Sequence, residues 1–504
     1  MVGVAAAVIG LVVAVILGSM EHDYFRRFYY SYLTSFAFFL AIGIGAIGFT
    51  LIHFLVRAAW NVQLRRVMEN MMMVVPVLAI FSLPILVSVA MQKGDLYRWA
   101  LPADAVAEHH DAKHGGEAKH TEGKHGAAVS GKVEGSEPKT AAPGEGEKGA
   151  AGTEGKPAHA SDAPVDAGAP LNTAAGHAAK EGHPEVAGGH EVRTERPFVL
   201  DELTLQKRNW LNPWFWLLRV VLYFAVWSVI AIVYRRHSVA QDDDGDLEHT
   251  AKLQKYAGAC LVLMGFTVTY AAFDIFMSLD PHWFSTMFGV YYIAGCFLSF
   301  WATLVILVTL VRKVGCLKGV TKDHYQDMSK FQFAFTFFWG YIAFSQFMLL
   351  WYANLPETTP WFSRRGATTV VPSTEEIAAA GGSYEKAINI AIPEHGAEWR
   401  YWALALLIGH LFIPFAGLLS RHVKRKVPLA VFWAVWALVF HWVNMYWVVM
   451  PEMRIGFKPG IIDAACFVGL LGVCMVTWLK VAGRNRMLPV NDPRLSESLA
   501  FTNI

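Results

Sequence analysis

Charge is scarce in this 504-residue chain, in which Asp, Glu, Lys and Arg make up only 17% of the residues and hydrophobic types 54%. Soluble domains usually carry about 25% charged residues, so the composition argues against an ordinary water-soluble enzyme. The net charge is only +2, and the basic residues fall in short clusters between apolar runs instead of along one basic face, which argues against a nucleic-acid binder. Cysteine is scarce too. Cys260, Cys296, Cys316, Cys466 and Cys474 lie in or beside apolar runs without CxxC spacing, so neither an iron-sulfur cluster nor a structural zinc site is supported. CxxCH is lacking, which excludes covalent haem c on this chain.

Long apolar runs are what the chain has in abundance. A membrane-crossing helix needs roughly 20 mostly apolar residues. Runs of that length lie at 2–19, 33–56, 70–91, 211–234, 254–278, 284–311, 331–352, 400–420, 428–450 and 460–480, which predicts an all-α membrane protein of about ten transmembrane helices. The first run lacks a basic leader and a small-residue cleavage site and reads as a retained helix. The resulting organisation is helices one to three in 1–99, an insert at 100–195, helices four to seven in 196–352, a loop at 353–398, helices eight to ten in 399–482 and a tail at 483–504.

Lys and Arg mark the sidedness. Arg57, Arg65 and Arg66 follow the second run, Arg235 and Arg236 the fourth, Arg312, Lys313, Lys318 and Lys322 the sixth, and Arg421, Lys424, Arg425 and Lys426 the eighth. Lys480, Arg484 and Arg486 follow the tenth. All share one side if ten runs cross. The positive-inside rule makes that side cytoplasmic, with both termini there, as in a multi-pass protein of a bacterial inner membrane. The 100–195 insert is rich in Ala, Gly, Glu, Lys and His and short of core-forming residues, so it is expected to be disordered and periplasmic. Its irregularly spaced histidines give no fixed metal geometry. In the 353–398 loop, Trp361, Phe362, Tyr384, Ile388, Ile390 and several prolines suggest a partly ordered cap or docking surface.

Gly43, Gly45 and Gly48 match GxGxxG, but within an apolar helix that follows no strand, so helix packing is the expected use rather than nucleotide binding. Ionisable groups inside the runs carry more information, because each costs roughly 2.5–3.5 kcal/mol on insertion scales and tends to face a bundle interior. His53, Asp274, His410, His441 and Asp463, with Gln346, Asn444 and Thr269 as polar company, are candidates for a proton path; neutral, hydrogen-bonded histidines are the alternative. Asp280 before Pro281 fits a helix N-cap, and the alternative is that Asp280 and His282, near Asp274, accept protons from a quinol oxidised at the outer face. Trp210, Trp214, Trp216, Trp283, Trp351, Trp399 and Trp402 are expected to form an interfacial belt.

Three strings carry a family resemblance: RAAWNVQLRR at 57–66 with Glu69, MSLDPHWFSTMFGVYYIAG at 277–295, and HYQDMSKFQFAFTFFWGYIAFSQFMLLWYANLPETTPWF at 324–362. The chain resembles the ActF-type integral membrane subunit of bacterial alternative complex III, similar to NrfD/PsrC-type proteins, over most of its membrane portion. The insert departs from that pattern. The resemblance implies two four-helix bundles with flanking helices, in a respiratory quinol:cytochrome c oxidoreductase. The subunit has no redox centre of its own, and proton translocation and a share in quinone (menaquinone) binding are its two open roles. The implied partners are an ActC-like paralogous subunit, an iron-sulfur subunit, multihaem and monohaem cytochrome c subunits that hold the haem c and clusters, small membrane subunits and a terminal oxidase. A stand-alone secondary transporter and a purely structural anchor are the competing readings.

Overall fold

The computed structural model describes residues 2–20, 25–102, 202–355, 358–367, 396–453 and 455–502. The insert beyond residue 102 lies outside them, as do Tyr384, Ile388 and Ile390. Among the described residues there are helices and no strands, and ten helices are long and apolar enough to cross a membrane. They are α1 (Gly3–Met20), α2 (Arg26–Leu55), α3 (Val62–Ala90), α4 (Pro213–Asp244), α5 (Glu248–Leu279), α6 (Met287–Lys313), α7 (Lys322–Ala353), α8 (Glu398–Gly417), α9 (Val427–Met453) and α10 (Ile461–Ala482).

Several helices overrun their apolar segments. The sequence places their starts at residues 33, 70 and 331, whereas α2 begins at Arg26, α3 at Val62 and α7 at Lys322. The added turns are polar but buried against protein, with Arg27 paired to Asp463 and Arg65 and Arg66 paired to Glu69. Hydropathy sees only the lipid-like part of such a helix. Local chemistry explains other ends. Asn212 caps α4 by accepting from the N–H groups of Trp214 (3.0 Å) and Phe215 (3.3 Å), with Pro213 in the first turn. Gly245, at φ 71°, closes the same helix in the left-handed region that glycine favours. The α3 span is three segments, Val62–Met72, Val74–Phe81 and Leu83–Ala90, and Pro76 and Pro84 lie in the first turns of the second and third.

Contacts group α2, α3, α4 and α5 into one four-helix bundle and α6, α7, α8 and α9 into another, joined mainly where α2 meets α6 and α9 and where α5 meets α6. Helix α2 is buried almost throughout. The GxGxxG glycines make this possible: a Cβ on Gly43 would stand 2.6 Å from Val75, one on Gly45 2.3 Å from the Cys296 carbonyl oxygen, and one on Gly48 2.7 Å from Phe297. They are packing residues, as expected. Helix α1 flanks the bundles by running antiparallel to α10, where a Cβ on Gly10 would meet the Gly469 nitrogen at 2.5 Å and one on Gly472 the Ala7 nitrogen at 2.4 Å. The tryptophan belt holds only in part. Trp214 and Trp351 are exposed, but Trp216, Trp283 and Trp399 are buried in the protein interior.

Candidate functional site

The second bundle is drawn tight around α8. A Cβ on Gly340 of α7 would lie 2.4 Å from Leu411, and one on Gly409 or Gly417 of α8 would lie 2.1 Å from Phe440 or 1.9 Å from Trp433 of α9. Within α8, Leu406–Phe412 forms a π-type turn, a form that recurs at functional sites. Its cause is visible in the sequence. Pro414 has no N–H to offer the carbonyl of His410 four residues earlier, so the ordinary helical bond there is denied.

That turn places His410 in the bundle interior. Its ring lies 4.2 Å from that of Trp339, edge to face, and Trp339 lies 5.8 Å from Tyr291. The Tyr291 hydroxyl donates to the side-chain oxygen of Asn444, which sits one turn from His441 on α9. His441 rests against Gly295 of α6, where a Cβ would stand 3.1 Å from the imidazole, and 5.4 Å from the ring of Phe38. Both ring nitrogens of His410, both of His441 and the amide nitrogen of Asn444 are buried with no hydrogen-bond partner in the described protein. The row continues along α7. Tyr325, Ser329, Gln332, Thr336, Trp339 and Gln346 recur at spacings of three, four and seven, and all are buried. The Ser329 hydroxyl and the Gln332 side-chain oxygen also lack partners, while the Gln332 amide donates to the Trp433 carbonyl at 2.8 Å.

Toward the end of the bundle away from the basic loops, Tyr291 leads through Phe288 (6.0 Å between rings) to Trp283 (5.4 Å) and on to Trp361, stacked at 4.0 Å. Trp361 and Phe362 are buried in a short helix, Thr359–Arg364, at this end. Arg365 lies 3.5 Å over Trp361 and pairs with Glu452 at 2.9 Å, and Arg364 pairs with both Asp280 and Glu452. The N-cap expectation for Asp280 fails, because α6 starts only at Met287, with Thr286 at its cap. Asp280 instead accepts from the backbone N–H of His282 at 3.0 Å and anchors Arg364. Burial opposes its ionisation, but the His282 hydrogen bonds and the Arg364 charge outweigh that and hold the carboxyl well below the usual range. Burial pulls Arg365 down to about 10 despite Glu452. Gln346 approaches this region, its side-chain oxygen accepting from Ser285 at 3.4 Å.

Comparison of the chain with known protein families and with characterised proteins gives no match.

The remaining candidates stand apart from the row. Asp274 is held in the first bundle by Arg219 (2.8 Å to each carboxylate oxygen), Tyr223 (2.8 Å) and Trp210 (3.0 Å). His53, near the basic loops, bonds Asn61 at 2.8 Å, and Asp463 pairs with Arg27 at 2.5 Å. Sequence reasoning missed Arg219, Arg27 and Glu69, the last of which is buried against Arg65 (3.2 Å), Arg66 (2.9 Å), Arg235 (3.5 Å) and Ser238 (2.6 Å). It also missed Tyr291, Ser329, Gln332 and Thr336. The polar spacing along α7 was a readable signal for the last three. Nothing in the sequence pairs Tyr291 with Asn444. Among the described residues, no group of three or more His, Cys, Asp and Glu side chains is placed to hold a metal ion.

Proposed function

We propose that this chain is a membrane subunit of a quinol:acceptor oxidoreductase of the alternative complex III type and that it conducts protons through its second bundle. The carrying observation is the file of buried, partnerless polar atoms at Ser329, Gln332, His410, His441 and Asn444. Buried polar atoms are normally satisfied, and a file left unsatisfied by the protein is a place for ordered water. Water between imidazoles, an amide and a phenol supplies proton carriers across the apolar middle of the bundle. Asp280 and Arg364 would then close the end away from the basic loops as an ion-paired cap. The basic loops would face the cytoplasm of a bacterial inner membrane. Haem and iron-sulfur centres would belong to the partners: an ActC-like paralogue, an iron-sulfur protein and cytochrome c subunits, with menaquinol as electron donor.

Mild-detergent purification from the native membrane tests the first half of the reading. Copurification with multihaem and iron-sulfur proteins and menaquinol:cytochrome c reductase activity are expected, whereas recovery alone and colourless would refute it. For the second half, His410→Phe and His441→Phe in proteoliposomes should lower the proton-to-electron ratio while quinol oxidation persists. An unchanged ratio in both variants would sink the proton path.

A further inference from the structure

A groove with a cavity volume of about 1170 Å³ runs where α10 diverges from α6 and α9, floored by α2 and lined by residues such as Phe38, Ile42, Leu307, Leu438, Phe467 and Leu471. From Asp463 to Ala482, both on its wall, α10 rises roughly 28 Å, about the thickness of the hydrocarbon core. The walls are mainly apolar, with Thr303, Trp442 and Trp478 carrying polar atoms along them, and Pro459, Gly460 and Asp463 close one end, where the carboxylate lies. There one Asp463 oxygen takes the Arg27 guanidinium (2.5 Å) and the Gly460 N–H (2.7 Å). The other oxygen is buried and has no partner in the described protein. Arg27 also donates to the Lys458 carbonyl at 2.8 Å, which ties the exposed Lys458 to the same end.

We propose that this groove binds a phosphatidylethanolamine molecule, its ammonium donating to Asp463, its phosphate facing Lys458 and its acyl tails lying along Phe38, Phe39 and Phe467. A carboxylate oxygen in need of a donor, with the backbone of the exposed Lys458 held at the same head of an apolar trough, matches a zwitterionic head with N–H groups on a two-tailed lipid. A quaternary ammonium head lacks the N–H, and a glycerol head lacks the cation. This assignment goes beyond the proton path and uses none of its residues.

The test is native mass spectrometry and thermal unfolding of the delipidated full chain with added dioleoyl phosphatidylethanolamine, phosphatidylcholine or phosphatidylglycerol. Phosphatidylethanolamine should be retained as a bound species and raise the unfolding midpoint by several degrees, with the other two lipids giving less than half that shift. Val468→Trp, which fills the groove from its lipid-facing wall, should abolish both effects and leave the lipid-free midpoint unchanged. Asp463→Asn should reduce the selectivity between the ethanolamine and choline heads. Equal shifts from all three lipids, retention of the lipid in Val468→Trp, or recovery of a quinone or a protein segment in the groove from native membranes would each overturn the assignment.

Discussion

A carboxylate in hydrocarbon survives only when it is matched on the spot, and Asp274 is matched by Arg219, Tyr223 and Trp210 together. Removing one partner leaves a buried charge, so Asp274→Asn should cost about 3–5 kcal/mol. Replacing both at once, Arg219→Met with Asp274→Leu, should recover most of that loss, which a double-mutant cycle on unfolding free energy would read. Asp280 makes the sign of the pH effect plain. Its folded-state pKa is lowered, so its stabilisation is complete above the unfolded value of about 3.9 and fades as pH falls through the folded value. Asp280→Asn should therefore lower the unfolding midpoint at pH 7, and the gap from the parent protein should narrow only below about pH 4. A gap that already closes between pH 7 and 5 would show that Asp280 titrates in the working range and acts as a base after all.

Among the elements, α8 is the one whose conformation sets the site. Pro414→Ala restores the N–H that an ordinary helix needs, and a regular turn there would rotate His410 by up to 100° per residue shed from the π-type segment. The variant should be at least as stable as the parent yet lose proton conduction, and a stable variant with undiminished conduction would show that the turn does not matter. Such a turn is hard to read from sequence because Pro414 alone announces a break without saying which way the helix will accommodate it. The ten spans themselves were legible, since hydropathy and basic clusters are local properties. Their polar ends were not, because Arg27 is held by Asp463, Tyr446 and the Lys458 carbonyl, all more than four hundred residues away. His410 and His441 were found as rare ionisable groups, but their joining through Trp339, Tyr291 and Asn444 is a tertiary fact.

At the scale of the whole molecule, the two ends of the membrane portion are sealed differently. One is capped by the ion pairs around Asp280, Arg364 and Glu452. The other is tied by the segment after α10, where Asp492 pairs with Arg65, Ser498 donates to the Trp60 carbonyl at 3.0 Å, and the Gln63 amide donates to the Ser498 carbonyl at 2.9 Å. Deleting residues 488–504 removes the Asp492 partner of a fully buried arginine and should destabilise the chain by about 3–5 kcal/mol. Limited proteolysis of the α2–α3 connection would report the loosening; equal protection in the truncated chain would contradict it.

The antiparallel seam between α1 and α10 also constrains biogenesis. Helix α1 leaves the ribosome well before α10 and so waits for its glycine-lined partner, and Arg27 waits in the same way for Asp463. Until then a basic group near the hydrocarbon is uncompensated, and a strip of bare backbone faces lipid. Nascent chains arrested before α10 should therefore be preferred substrates of membrane proteases, and chains should become resistant abruptly once α10 inserts.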